Sequence, residues 1–187
     1  MKIIGIDEAG RGPLAGPVVV AGVKIRSAKT AKRLFAGIRD SKRLSPKKRE
    51  EWFLRLTRHS FIEYAVARVG NHVIDRVNIT RAANIAAARV YRRLSSEKGR
   101  VFAVLDGGLY LPDSIPQKTI IKGDEKIPVI AAASVIAKVT RDRIMVRLYK
   151  KFPRYRFDLH KGYGTELHKR FLKQYGHSKI HRRTFRI

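Results

Sequence analysis

The chain contains no cysteine. Disulfides, thiolate metal centres and a cysteine nucleophile are therefore excluded, and any bound metal must be held by oxygen or imidazole. Acidic residues are scarce: 15 Asp plus Glu face 42 Lys plus Arg, for a formal charge of +27 and a pI of about 11.1. Long apolar runs are lacking as well. The two longest, Leu14 to Val23 and Ile127 to Ala137, fall short of the ~20 residues that a spanning helix needs. Asp7 and Glu8 interrupt the amino-terminal segment before the ~7 to 15 apolar residues of a secretory signal can form, so a cytosolic protein is expected. No Gly-Lys-Ser/Thr phosphate loop occurs, and the six histidines lack the His-Glu-x-x-His spacing of a zinc site. Most of them read as surface or nucleic-acid-facing residues. Gly10, Gly12 and Gly16 superficially match a dinucleotide loop, but Pro13 and Pro17 disrupt the helix start and Glu8 would oppose a pyrophosphate.

What is present fits a single domain. The chain has 187 residues, 44% hydrophobic and 30% charged, a length and balance typical of one soluble globular unit. Its surplus positive charge costs self-repulsion, and an extended polyanion is the partner that best relieves it. Nucleic acid is thus expected, ahead of an anionic membrane. Nearly half of the excess lies in the last 50 residues, which hold 16 basic and 3 acidic side chains.

The runs Lys2 to Ile6 and Val18 to Ile25 are rich in β-branched residues and flank the Gly and Pro cluster Gly10 to Pro17, so they read as two strands joined by a structured loop. Ser45-Pro46 sets a capping hydroxyl before a proline suited to the first helical turn, and Lys47 to His59 follows with Trp52, Phe53 and Leu56 at helical spacing. Phe61 to Val69 alternates like a half-buried strand, and Ile79 to Leu94 carries an alanine-rich stripe. Val101 to Leu105 is a short apolar run ending at Asp106-Gly107-Gly108, the pattern of a buried strand that stops at a turn. A short strand over Thr119 to Ile121 precedes a long helix from Ile127 to about Lys151, ended by Pro153. A further short helix is expected over Glu166 to Tyr175. No repeat or linker divides the chain, and the order of elements predicts an α/β layered domain with a mixed sheet.

In so basic a chain the placement of the acids is informative. Asp7 and Glu8 read as following the first strand, Asp106 follows the run Val101 to Leu105, and Asp124 follows Lys122-Gly123. If the first strand and the Asp106 strand are parallel neighbours, their carboxyl ends bring Asp7 and Asp106 together, where open α/β sheets place their sites. Asp124 could close the cluster from the start of the next helix. Converging carboxylates raise one another's pKa unless a cation neutralises them, and hard oxygen ligands favour Mg²⁺ or Mn²⁺. Two such ions can activate water and stabilise the leaving oxygen of a phosphodiester. Acidic ligands within a basic surface therefore read as a metal-dependent nuclease. The alternative is a noncatalytic basic nucleic-acid-binding protein whose acids are structural, which would bind without cleaving and be indifferent to Asp7→Asn.

Gly5-Ile6-Asp7-Glu8-Ala9-Gly10-Arg11-Gly12-Pro13, Asp40-Ser41-Lys42, Lys122-Gly123-Asp124, the segment Ala131 to Asp142 and His160-Lys161-Gly162-Tyr163 together resemble ribonuclease HII. The resemblance covers nearly the whole chain. It implies a ribonuclease H-like α/β fold, a five-stranded mixed sheet flanked by helices, as one domain over 1–187 with a basic helical C-terminal region, about 152–187, packed on it. It also implies a carboxylate quartet, Asp7, Glu8, Asp106 and Asp124, binding two Mg²⁺ or Mn²⁺ ions. The implied substrates are RNA–DNA hybrids and duplex DNA with embedded ribonucleotides. Cleavage on the 5′ side of the ribonucleotide would leave 3′-hydroxyl and 5′-phosphate ends. Gly10, Arg11 and Gly12 match the loop that senses the ribose 2′-hydroxyl, Tyr163 the tyrosine that stacks on the following deoxyribose, and Ser41 and Lys42 a motif that contacts the backbone near the cut. By charge, Lys122 and Lys138 suit phosphate contacts, and Ser134 reads as helix packing. Gly108 departs from the pattern, where a polar residue is expected. The chain stops at Ile187 soon after Arg182-Arg183-Thr184-Phe185, so no clamp-recruiting tail is expected, and a monomer is the default.

Overall fold

The computed structural model describes residues 2–38, 44–95 and 101–186. Strands β1 (Lys2–Ala9), β2 (Val18–Ile25), β3 (Glu63–Val69), β4 (Val101–Asp106) and β5 (Gln117–Ile120) form one sheet in the order β3-β2-β1-β4-β5. β1 runs antiparallel to β2, and β2 to β3, whereas β4 lies parallel to β1 and to β5. The mixed sheet expected from the sequence is therefore present, and the parallel β1–β4 pair meets the condition on which Asp7 and Asp106 converge.

The first strand runs longer than the apolar pattern alone suggests. Pairing with β2 continues through Asp7↔Ala21, Glu8↔Val20 and Ala9↔Val19, so both acids lie inside the strand rather than after it. Backbone pairing carries the strand past the point where its side chains turn polar. Pleating then assigns the faces. Ile4 and Ile6 join a core with Val18, Val20, Ala103 and Leu105. Gly5 and Asp7 point to the other face.

Each face is covered by a helix suited to close approach. Helix α4 (Ile79–Leu94) presents Ala82, Ala83, Ala86, Ala87 and Val90, all fully buried, to the first face. The longest helix, α6 (Pro128–Lys151), covers the second. It begins so near β1 that a Cβ on Gly5 would lie 2.5 Å from the Val129 carbonyl. Its first ten residues are buried almost all round, because α1 (Ala28–Leu34) and α2 (Pro46–Arg58) pack on its outer side. No helix among the described residues is long and apolar enough to cross a membrane.

The short helices escaped the sequence pattern. These are α1, capped by the Ser27 hydroxyl accepting from the Thr30 amide, α3 (Asn71–Val77), and the single turns α5 (Gly123–Lys126) and α7 (Phe157–His160). Elements of one or two turns give too few repeats of an apolar stripe to register. Helix α8 (Glu166–Tyr175) starts at Thr165, whose hydroxyl accepts the His168 amide. With Leu14, Ala15 and Met145, the C-terminal residues Tyr155, Phe157 and Leu172 form a third core, and beyond Gly176 the chain runs back along α3 without regular structure.

Candidate active site

The sheet register brings two acids together. β1 and β4 pair through Ile6↔Leu105, and one residue further Asp7 and Asp106 stand side by side on the face covered by α6. Glu8 completes the group, with one carboxylate oxygen from each of the three lying within 4.8 Å of the others. The fourth expected member is placed differently. Asp124 is buried on α5 and lies outside this group, although its neighbour Gly123 donates its amide to Asp106 Oδ1 at 2.6 Å.

The environment of these acids is poor in compensation. Asp7 is 2% exposed. Its Oδ1 accepts the Glu8 amide at 2.7 Å and the carboxylate takes a hydrogen bond from the Ser134 hydroxyl, but Oδ2 has no hydrogen-bond partner, nor has Glu8 Oε2. Burial holds the Asp7 carboxyl well above its ordinary value of 3.8, and repulsion from Glu8 and Asp106 adds to the rise. Burial also raises Glu8, opposed by the Arg11 guanidinium 3.6 Å away. Buried, mutually repelling carboxylates with unpartnered oxygens are what a divalent cation would stabilise, and an all-oxygen donor set suits Mg²⁺ or Mn²⁺. These residues therefore fit the metal expected from the sequence.

Ser134 is no mere packing residue. Helix α6 crosses the Asp7 face of β1, and Ser134 lies just over a turn beyond the Val129 contact with Gly5, close enough to orient Asp7. Only the tertiary approach of α6 to β1 shows this. Thr80, at the start of α4, was also missed; its hydroxyl accepts from Arg11 Nη2 at 3.1 Å while Nη1 donates to the Gly108 carbonyl. A Cβ on Gly108 would stand 3.2 Å from that guanidinium, so the glycine found in place of a polar residue makes room for Arg11.

The carboxylates open into a cavity of about 330 Å³, whose wall includes Gly10, Arg11, Gly12, Ser134, Lys138 and Tyr163. A larger groove of about 990 Å³ adjoins it and shares Arg49, Lys138 and Tyr163. Tyr163 is 40% exposed at this junction, with Lys138 Nζ 5.5 Å and Arg141 Cζ 5.7 Å from its ring centre. Lys138 is held by Asp142 at 2.9 Å. Lys122 adopts a left-handed conformation ahead of α5. Ser41 and Lys42 lie outside the described residues.

Three of the six histidines support the Tyr163 segment from behind, whereas a surface role is expected for most. His160, His168 and His181 are buried, with the first two rings stacked 4.2 Å apart. His168 Nδ1 donates to the Tyr163 carbonyl, so its Nε2 accepts from His181 Nε2 at 3.0 Å, leaving His181 Nδ1 to accept the Ser178 amide. Every ring nitrogen of that pair is committed, which is why they can be buried. Burial lowers both pKa values to about 4.

A family model described as ribonuclease HII matches residues 4–187. The ribonuclease HII of Caldicellulosiruptor bescii is 46% identical over 184 residues, covering 98% of this chain and 85% of that protein. Among solved structures, the chain in a PCNA:RNase HII complex from Archaeoglobus fulgidus superposes with a TM-score of 0.81 at 28% identity, covering 100% of this chain and 96% of that one. Ribonuclease H2 from Pyrococcus horikoshii gives 0.77 at 30% identity, with coverages of 99% and 94%.

Proposed function

Because the chain belongs to the ribonuclease HII family, and so is a hydrolytic endonuclease acting on nucleic acid, we propose that it cuts the RNA strand of RNA–DNA hybrids and nicks duplex DNA 5′ to single embedded ribonucleotides. Family membership displaces the noncatalytic alternative. The observation that carries the finer reading is the shared cavity: three clustered carboxylates, of which Asp7 is buried and Glu8 and Asp106 are partly so, the Gly10 to Gly12 loop and Tyr163 all face one space within a chain of formal charge +27.

Asp7, Glu8 and Asp106, with Asp124 adjoining, would hold Mg²⁺ or Mn²⁺. Two bound ions would supply Lewis acidity for water activation and for charge on the leaving oxygen. The remaining work belongs to the chain. Ser134 orients Asp7 through its hydroxyl. Arg11 steadies Glu8 while bonded to Gly108 and Thr80. Lys138 sits where it can meet a phosphate, and Tyr163 offers a ring to a sugar at the mouth of the groove. The glycine loop brings backbone to the ribose, whose 2′-hydroxyl is the group that distinguishes RNA from DNA.

The test is a labelled DNA duplex containing one ribonucleotide, incubated with Mg²⁺, Mn²⁺ or chelator beside an all-DNA control. A metal-dependent nick 5′ to the ribonucleotide, with 3′-hydroxyl and 5′-phosphate ends and none in the control, supports the reading. Cleavage confined to uninterrupted hybrids would remove single-ribonucleotide recognition.

A further inference from the structure

Residues 10–17 link β1 to β2 with almost no regular structure, yet two buried arginines engage their carbonyl groups. Arg182, 1% exposed, donates from Nε to the Gly16 carbonyl at 3.0 Å, from Nη1 to Arg11 at 2.8 Å and from Nη2 to Gly10 at 2.6 Å. Arg141 on α6 donates to the carbonyls of Pro17, Ala15 and Lys161, which ties the loop to the segment bearing Tyr163.

Arg182 arrives from the far end of the chain and is fixed there by independent contacts. Its amide donates to the Leu14 carbonyl at 2.8 Å, and its guanidinium lies 4.9 Å over the Phe185 ring. On α3, Asn71 donates to the Lys179 and His181 carbonyls, while Asp75 accepts the Arg183 amide and both the amide and hydroxyl of Thr184.

The direction of these bonds has a stereochemical consequence. No peptide bond among the described residues is cis, and in a trans peptide the N–H points opposite to the preceding carbonyl. The Gly10 carbonyl faces Arg182, so the Arg11 amide faces away from it. The Arg11 carbonyl does likewise, so the Gly12 amide also faces away. Gly10, Arg11 and Gly12 line the carboxylate cavity and Arg182 does not. Two backbone donors are thus turned toward the space where substrate would lie, donors of the kind a ribose hydroxyl or phosphate oxygen accepts.

We propose that Arg182 is a positioning residue for ribonucleotide recognition, fixing from behind the loop the direction of the Arg11 and Gly12 amides without itself touching nucleic acid. The proposal rests on the ribonucleotide-nicking function given above. The planar fork is essential to it, because a lysine ammonium is a point charge that cannot hold three fixed carbonyls in the same geometry.

Binding of two labelled duplexes, one with a single ribonucleotide and one all-DNA, tests this with Ca²⁺ replacing Mg²⁺ to suppress cleavage. Arg182→Lys should lower the preference for the ribonucleotide duplex by about tenfold, the worth of roughly one misdirected hydrogen bond, with all-DNA affinity within about twofold. Asp75→Asn, which loosens the tail without truncating a buried cation, should lower the preference by a smaller factor. An unreduced preference in folded Arg182→Lys overturns the proposal. So does an equal loss of affinity for both duplexes, the result a general structural role predicts. If Arg182→Lys does not fold, Asp75→Asn decides by the same criterion. A wild-type protein with no ribonucleotide preference would remove the functional reading itself, and the positioning role with it.

Discussion

Replacing Asp7 by Asn should make the metal-free protein more stable while destroying its activity. Two unit charges 4.8 Å apart at an effective dielectric of 20 repel by about 3.5 kcal/mol, and 4.8 Å bounds the separations among the ligand oxygens of Asp7, Glu8 and Asp106. The substitution removes two of the three pairs. In chelator a proton on Asp7 relieves part of this strain, and more of it the lower the pH, since burial and the neighbouring carboxylates hold Asp7 well above 3.8. A carboxyl raised in this way contributes its stability only while protonated: fully below 3.8, and lost as pH rises through the folded value. At neutral pH we expect a residual gain of about 2 kcal/mol for the variant, or roughly 4–8 °C in melting temperature for a chain of this size. Asparagine keeps an oxygen to accept the Glu8 amide and the Ser134 hydroxyl, and its amide can donate where Oδ2 has no hydrogen-bond partner. The assay is thermal unfolding in chelator and across a Mg²⁺ or Mn²⁺ titration, beside cleavage of the ribonucleotide duplex. Metal should raise the wild-type midpoint through linkage and the variant's much less, with cleavage reduced by about a thousandfold or more. An Asn variant that melts below wild type in chelator, or gains as much from metal, would refute the reasoning.

The two loop glycines should respond oppositely to alanine. A Cβ on Gly12 meets nothing within 4 Å, so Gly12→Ala should change stability by less than about 0.5 kcal/mol yet cut activity at least about tenfold, because its methyl enters the substrate's space; unchanged kcat/KM would show that the substrate does not approach there. At Gly10, with φ +97° and a Cβ that would fall 2.1 Å from Arg141 Nε, alanine should destabilise by about 1–3 kcal/mol, read by urea unfolding. Ser134→Ala should fold normally and lose about 10–100-fold in activity, as supports of metal-binding groups commonly do; full activity would return Ser134 to packing alone. For His168 and His181, folded pKa values near 4 against an ordinary 6.5 mean that the unfolded chain binds more protons between those limits. Stability should hold above pH 6.5 and fall toward pH 4 by up to about 1.4 kcal/mol per unit for each histidine. Urea midpoints in the Asp7→Asn background, where the opposing carboxylate contribution is reduced, check this, and a flat profile from 6.5 to 4.5 contradicts it.

What could be read from the sequence and what could not divide along a physical line. Asp7 and Asp106 were legible because strand pairing is regular: parallel neighbours align their carboxyl ends, and a period of two sends both side chains to one face. Ser134, Thr80 and the buried histidines were not, because each acquires its role from an element distant in sequence. The two arginines show the same limit for charge. Counting treats every basic residue as a potential phosphate contact, and by that count the last 50 residues, with 16 basic and 3 acidic side chains, read as nucleic-acid-binding surface. Arg141 and Arg182 are instead buried and bonded to backbone carbonyls. Guanidinium suits that place because it is weakly hydrated and carries several donors in one plane, so it can satisfy a loop that has no sheet or helix to satisfy it. The C-terminal segment is thus in part a strut for residues 10–17. Neutralising exposed Lys173 and Lys179 should weaken binding to all-DNA and ribonucleotide duplexes alike and flatten the salt dependence, whereas Arg182→Lys, which conserves charge, should change the ratio between them. Equal effects from both changes would mean that charge alone accounts for the tail.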